Sequence, residues 1–271
     1  MNKLYIIGNG FDLKHGLPSR YSDFAEFCKK INWELYEQLT LLFPKISGES
    51  LWSNFEKGLG EVDESILRKK FYEPYKKNCS NDKFLCLHEN LKLAFKDWVL
   101  NLRGLTNNLH KHYFFDANSY FISFNYTDTL ETVYGIEGSK IKHIHGFAHR
   151  GEEEFKTDYI FGHNKEKEKT SMPIDSYEYL SADLINGLAK EYKTEDLRNK
   201  LKEWRIDFKD IFTLGHSLDF VDAKYFELLH NIFPDARWHI EYFDYDDYCR
   251  KMRYALSYDL SKNGGVEFIK S

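Results

Sequence analysis

The chain has 271 residues, 42% of them hydrophobic, and a formal net charge of -5. That length supports a substantial core without disulfides or metal. An acidic balance with no long basic run lacks the electrostatic footprint of a duplex-binding protein, so nucleic acid is not an expected partner, with single-strand or local contacts left open. The four cysteines, Cys28, Cys79, Cys86 and Cys249, form no CxxC pair. They read as reduced thiols of a cytoplasmic protein rather than a zinc site. The first residues lack the apolar stretch and cleavage site of a signal peptide, and no run nears the roughly 18 apolar residues of a membrane span. A cytoplasmic protein with no membrane partner is expected.

Leu4-Tyr5-Ile6-Ile7 is a short apolar run closed by Gly8-Asn9-Gly10, which reads as a buried strand. A helix is predicted from near Tyr21, with Phe24, Phe27 and Cys28 at helical spacing. Apolar residues then recur at three- and four-residue steps to about Asn118, as in Leu91, Phe95, Trp98 and Leu102. The stretch 28–118 therefore reads as a mostly helical insertion within one domain spanning 1–271. The strand pattern returns at Tyr120–Phe124, followed by a helix from Thr129 to Tyr134 and a strand from Lys140 to His145. Tyr159–Gly162 reads as a further short strand, and Asn164–Thr170 as a polar loop. Helices are predicted at Ser176–Leu188 and Glu195–Trp204, a strand at Ile211–Gly215 and a helix at Val221–Ile232. The strand Trp238–Tyr242 and the helix Tyr245–Leu256 complete the series. Strands alternating with helices predict an α/β protein with a Rossmann-like, mostly parallel sheet.

The candidate chemistry follows the predicted strands. After the first strand, Gly8-Asn9-Gly10-Phe11-Asp12 offers a turn where no Cβ hinders the approach of a phosphate. It is not the GxGxxG fingerprint, since the next glycine, Gly16, comes six residues after Gly10. Read alone, the turn fits a ligand site and a tight loop equally well. Asp12 is open to a helix cap or a ribose hydroxyl. After the second strand, Asn125 in Ser123-Phe124-Asn125-Tyr126-Thr127-Asp128 can both donate and accept, which suits a ribose hydroxyl or a water; an Asx turn or a helix cap explains it as well. After the third, His143 and His145 lie two apart, on one face of a strand. They fit a metal pair completed by His149 or His163, an active histidine at the strand end, or a structural histidine. After the fourth, Gly215-His216-Ser217-Leu218 departs from the GxSxG elbow of serine hydrolases, because Asp219 stands at the second glycine. It reads as a ribose- or phosphate-contacting loop. Four polar clusters after four strands are what a ligand site at the edge of an α/β sheet requires.

These residues resemble the AbiH family of bacterial phage abortive-infection proteins. The resemblance rests on Gly8-Asn9-Gly10-Phe11-Asp12 with His15-Gly16-Leu17-Pro18, then Ser123-Phe124-Asn125-Tyr126-Thr127 and His145-Gly146. Phe161-Gly162-His163-Asn164 and Gly215-His216-Ser217-Leu218 extend it over nearly the whole chain. The same blocks are more distantly similar to sirtuin-type NAD-binding domains. Gly8 and Gly16-Leu17-Pro18 match the GAG and GIP segments, Asn125 the ribose-contacting asparagine, His145-Gly146 the base, and Gly215–Leu218 the GTSL block. Sirtuin zinc cysteines have no counterpart, and Thr127 stands where sirtuins carry aspartate.

The resemblance implies a sirtuin-like site in which Asn125 and His145 are catalytic. Gly8, Asn9, Gly10, Phe11, Asp12, Gly16, Pro18, Tyr126, Asp128, Gly146, Gly215, His216 and Ser217 hold NAD, as substrate or ligand, with no metal. The implied activity is NAD hydrolysis at the nicotinamide–ribose bond during abortive infection, with a phage-derived trigger and a homo-oligomer as compatible partners. A module that senses NAD or ADP-ribose without chemistry is the alternative. A metal-dependent nuclease using His143, His145, Asp128 and Asp222 ranks below both.

Overall fold

The computed structural model describes residues 2–46, 54–78, 86–148, 159–167, 169, 171–174, 176–260 and 264–271. The chain divides into two compact units: Met1–Ser19, Asn101–Asp158 and Tyr192–Ser271 form the first, and Arg20–Leu100 with Tyr159–Glu191 the second. Among the described residues no helix is long and apolar enough to cross a membrane.

The first unit carries a six-stranded sheet: β1 (Lys3–Ile7), β2 (Ser119–Ser123), β3 (Ile141–His143), β4 (Asp210–Leu214), β5 (Arg237–Tyr242) and β6 (Val266–Lys270). Every pairing is parallel, and the order is β3-β2-β1-β4-β5-β6. The chain fills the sheet outward from β1 on one side, then returns to β1 and fills the other. This is a Rossmann-like α/β fold, with its order reversal between β1 and β4.

Residues of β1 alternate between two cores, as the period-two geometry of a strand dictates. Leu4 and Ile6 join Ile122, Ile211, Trp238 and Ile240 on one face, packed against Leu197, Leu201, Tyr225, Phe226 and Tyr254 from helices. Tyr5 and Ile7 join Phe11, Phe121, Leu130 and Ile141 on the other. Burial on both faces is why the central strands read as unbroken apolar runs.

The helix Thr129–Tyr134 ends on Gly135 at φ +68, a left-handed stop that glycine adopts without strain. The helices Thr194–Trp204, Ala223–Ile232 and Tyr245–Ser257 lie close to their predicted spans. Strand β3 is shorter than predicted, because residues 138–140 form a 3₁₀ turn and the chain leaves the sheet after His143. Strand β6 was not predicted. It is an edge strand whose Val-Glu-Phe-Ile-Lys pattern has no long apolar run, since only one side of it has a neighbour.

The second unit is helical, with helices that include Tyr21–Ile31, Trp33–Leu42, Leu87–Leu102 (its last two residues in the first unit) and Tyr177–Gly187. The predicted insertion thus falls largely here, joined by Tyr159–Glu191, while residues 101–118 belong with the sheet. Its core is aromatic: the Phe95 ring lies 4.2 Å from Phe161 and 5.2 Å from Phe24, and Phe24 lies 5.4 Å from Trp98. The strand predicted at Tyr159–Gly162 does not form. Gly162 sits at φ +133, outside strand geometry, and only a single bridge, His163 to Ala189, follows it. The Lys190 ammonium, fully buried, lies 3.0 Å from the Glu56 carboxylate, which also accepts the Gly162 N–H.

Candidate functional site

Strands β1 to β4 end level with one another. Ile7 is opposite both Ser123 and Leu214, and Ser123 is opposite His143. The residues that follow form one rim at the carboxyl ends of the strands, spanning the order reversal where open α/β sheets bind ligands. Gly8, Asn125, His145 and His216 therefore converge, although 208 positions separate the first from the last (216 − 8).

Glycines join the β1 and β4 loops. The Gly8 N–H donates to the Leu214 carbonyl at 3.0 Å and the Gly10 N–H to the Gly215 carbonyl at 2.8 Å. A Cβ on Gly8 would lie 2.4 Å from His216 Cα, and one on Gly10 2.8 Å from Gly215 Cα. Gly215 itself sits at φ +63. The missing side chains thus serve loop-to-loop contact. These two glycine amides, expected from the sequence to face phosphate, are engaged by protein carbonyls.

Asp12, on the short helix Asn9–Lys14, is 1% exposed. Its carboxyl accepts Thr127 Oγ1 at 2.6 Å and Thr129 Oγ1 at 2.8 Å. Burial pushes its pKa up to about 6, against the opposing pull of the two threonines and the Asn125 amide. Asp12 is thus tied to the loop after β2. Thr127 and Thr129 are site residues that sequence reasoning did not assign.

Asn125 is 5% exposed; its amide lies near enough to Asp12 to act on that carboxyl, but neither amide atom has a partner in hydrogen-bond geometry among the described residues. His145 is also buried and stacks on the half-buried Tyr126 ring at 5.8 Å. Its Nε2 lies 3.3 Å from Asp222 Oδ1, in ion-pair range but off the line of a hydrogen bond. Asp222 closes the 3₁₀ turn Phe220–Asp222 and faces a second imidazole, with Oδ2 3.6 Å from His216 Nε2. The Leu218 N–H donates to His216 Nδ1 at 2.9 Å, from a backbone held at φ +54. Such a left-handed leucine is strained and persists where its surroundings fix it. Burial lowers the His216 pKa, so its neutral form prevails. The Phe124 ring packs edge-on against both imidazoles, 5.3 Å from His145 and 4.6 Å from His216. Behind this loop, Glu241 of β5 accepts the Gly215 N–H at 2.8 Å and the Tyr113 hydroxyl at 2.9 Å. A carboxylate at the buried end of a strand was the available signal for Glu241.

Other predicted residues stand apart from this buried group. Phe11 is core, stacked on Tyr113 at 5.2 Å. Asn9 and Ser19 bond to each other across an exposed loop that carries Gly16, at φ +80, and Pro18. Asp128 accepts Thr106 Oγ1 at 2.7 Å. Ser217 is exposed, and Gly146 turns the chain at φ +79. The expected His143–His145 pair does not share a face, because β3 ends at His143. His143 turns to Glu131 at 2.8 Å. His163 has both ring nitrogens engaged, by the Ile185 carbonyl and the Lys165 N–H, and His149 lies outside the described residues. Among the described residues no group of three or more His, Cys, Asp or Glu is arranged to hold a metal ion.

An open parallel sheet with polar side chains gathered at its order reversal defines a Rossmann-like α/β protein with a buried polar rim site. Residues 4–242 match the family described as "Bacteriophage abortive infection AbiH", and the chain belongs to that family. This membership supports a role in phage abortive infection. No curated protein and no solved structure compared with the chain matches it.

Proposed function

We propose that the rim site binds NAD and hydrolyses its nicotinamide–ribose bond, lowering NAD in the infected cell. The observation that carries this reading is the Asn125 amide, buried with donor and acceptor both unmet, in the loop whose flanking Phe124 and Tyr126 rings lie against His145. Buried polar atoms are nearly always satisfied, so an orphaned amide on this rim calls for a polar ligand. In this reading Asn125 bonds a ribose hydroxyl or the attacking water, and His145 takes the proton that water gives up. A positioned base contributes roughly 10²–10⁴-fold in rate. The diphosphate lies over the Gly8–Gly10 turn and is met by the exposed Ser217, because the Gly8 and Gly10 amides and the Asn9 side chain are engaged.

The test is chromatography of nicotinamide and ADP-ribose after incubating the protein with NAD, alone and with phage extract. Release by wild type and its loss in His145→Ala are expected. Equal release by both proteins overturns the role of His145. The near-complete burial of Asn125 and His145 favours a second reading, a closed site that senses NAD or ADP-ribose without chemistry. Tight binding in calorimetry with no nicotinamide under any trigger would select it.

A further inference from the structure

Asp222 stands between two imidazoles, and all three side chains are less than a tenth exposed. His216 Nδ1 accepts the Leu218 N–H, so its own proton sits on Nε2, facing Asp222. One carboxylate oxygen is thereby directed to His216, and the other faces His145 Nε2. Phe124, Phe226 and Tyr225 surround the imidazoles with rings at 4.6–6.4 Å. The low exposure of the three side chains strengthens the electrostatics between them.

We infer that Asp222 is the positioning residue of a His145–Asp222–His216 relay, holding the Nε2–H tautomer of His145 so that Nδ1 is the proton-accepting atom. This rests on the NAD-hydrolysis reading for its chemistry, though the relay itself is a property of the protein alone. In the reaction, a water O–H bond breaks as its oxygen bonds to the ribose C1 atom, and the proton passes to His145 Nδ1. The C1–nitrogen bond breaks and its electron pair goes to nicotinamide, which leaves neutral. Asp222 stabilises the imidazolium across Nε2, and the proton then leaves to solvent. The 3.3 Å contact needs only a small rotation of the ring to become a hydrogen bond, a tightening common when ligand arrives. Besides Asp222, the titratable groups facing the relay among the described residues include Tyr126 and Tyr225, with rings 5.8 and 6.4 Å from His145, and Lys251 and Tyr254 on the helix Tyr245–Ser257. Lys251 works with burial to keep His216 neutral, and Asp222 adds to the burial that raises Tyr254.

The experiment is two-bond ¹H–¹⁵N spectroscopy of the full chain labelled at histidine, followed across pH, for wild type, Asp222→Asn and Asp222→Glu. The wild-type His145 is expected as the Nε2–H tautomer. Asp222→Asn is expected to shift the ring toward the Nδ1–H tautomer, and Asp222→Glu to restore Nε2–H in part. Nicotinamide release should fall about 10²-fold or more in Asp222→Asn. NAD affinity should be unchanged. An unchanged His145 tautomer in Asp222→Asn overturns the relay; should that variant not fold, the same result in His216→Phe does so. If the wild type shows the Nε2–H tautomer and Asp222→Asn loses it, but the wild type releases no nicotinamide, the hydrolysis reading falls and the relay stands.

Discussion

Replacing Asp12 by asparagine keeps its shape and a hydrogen-bonding oxygen for Thr127 or Thr129 while removing a buried ionisable group. Burial holds the Asp12 pKa at about 6 in the fold, against 3.8 in an exposed chain. The folded state therefore binds the proton more tightly. The stability gained with protonation is fully present below the unfolded value and is lost as pH rises through about 6. A difference of about two units corresponds to roughly 3 kcal/mol in all, about half of it lost between pH 5 and pH 8. Urea unfolding followed by circular dichroism at pH 5 and pH 8 reads this directly. Wild type should lose about 1–1.5 kcal/mol more than Asp12→Asn over that interval, and the variant should be the more stable at pH 8. Other groups titrate equally in both proteins, so their contributions cancel in the comparison. Parallel pH dependence in the two proteins would refute a raised pKa at Asp12.

Gly8→Ala puts a methyl group 2.4 Å from His216 Cα, although the glycine's φ of -119 is open to alanine. The clash should cost about 1–3 kcal/mol in thermal unfolding, and it should also displace the His216 imidazole resonance; a neutral effect on both would contradict the tight joining of the β1 and β4 loops. Lys190→Met leaves the Glu56 carboxylate buried without its cation. Breaking such a pair costs about 3–5 kcal/mol, whereas Glu56→Gln with Lys190→Met should recover much of the loss; a mild single variant measured by urea unfolding would show the pair to be unimportant.

The sheet was legible because its central strands are buried on both faces, so Leu4–Ile7 and Ile211–Leu214 read as apolar runs ended by glycine. Strand β6 was not, because an edge strand buries one side and has no such run. The rim was legible for the same reason as the strands: in a parallel sheet the residues after each strand share one edge, so Gly8, Asn125, His145 and His216 had to meet. What each contributes there was less visible. Gly8 and Gly10 read as a phosphate cradle, but a Gly-x-Gly turn serves equally for backbone to pass close to another loop, and it is Gly215 that packs there. Asp222 was one acidic residue among several after β4. Its position between two histidines depends on a 3₁₀ turn that no periodicity announces. The link from Asp12 to Thr127 and Thr129 spans more than a hundred positions and leaves no local trace.

A crystal structure of the protein with a non-hydrolysable NAD analogue bears most directly on the rim as a catalytic nucleotide site. The nicotinamide ribose is expected within hydrogen-bond reach of the Asn125 amide, with its C1 atom facing His145 and the diphosphate over the Gly8–Gly10 turn. An analogue seated away from β1 to β4, with Asn125 still unpartnered, would contradict it.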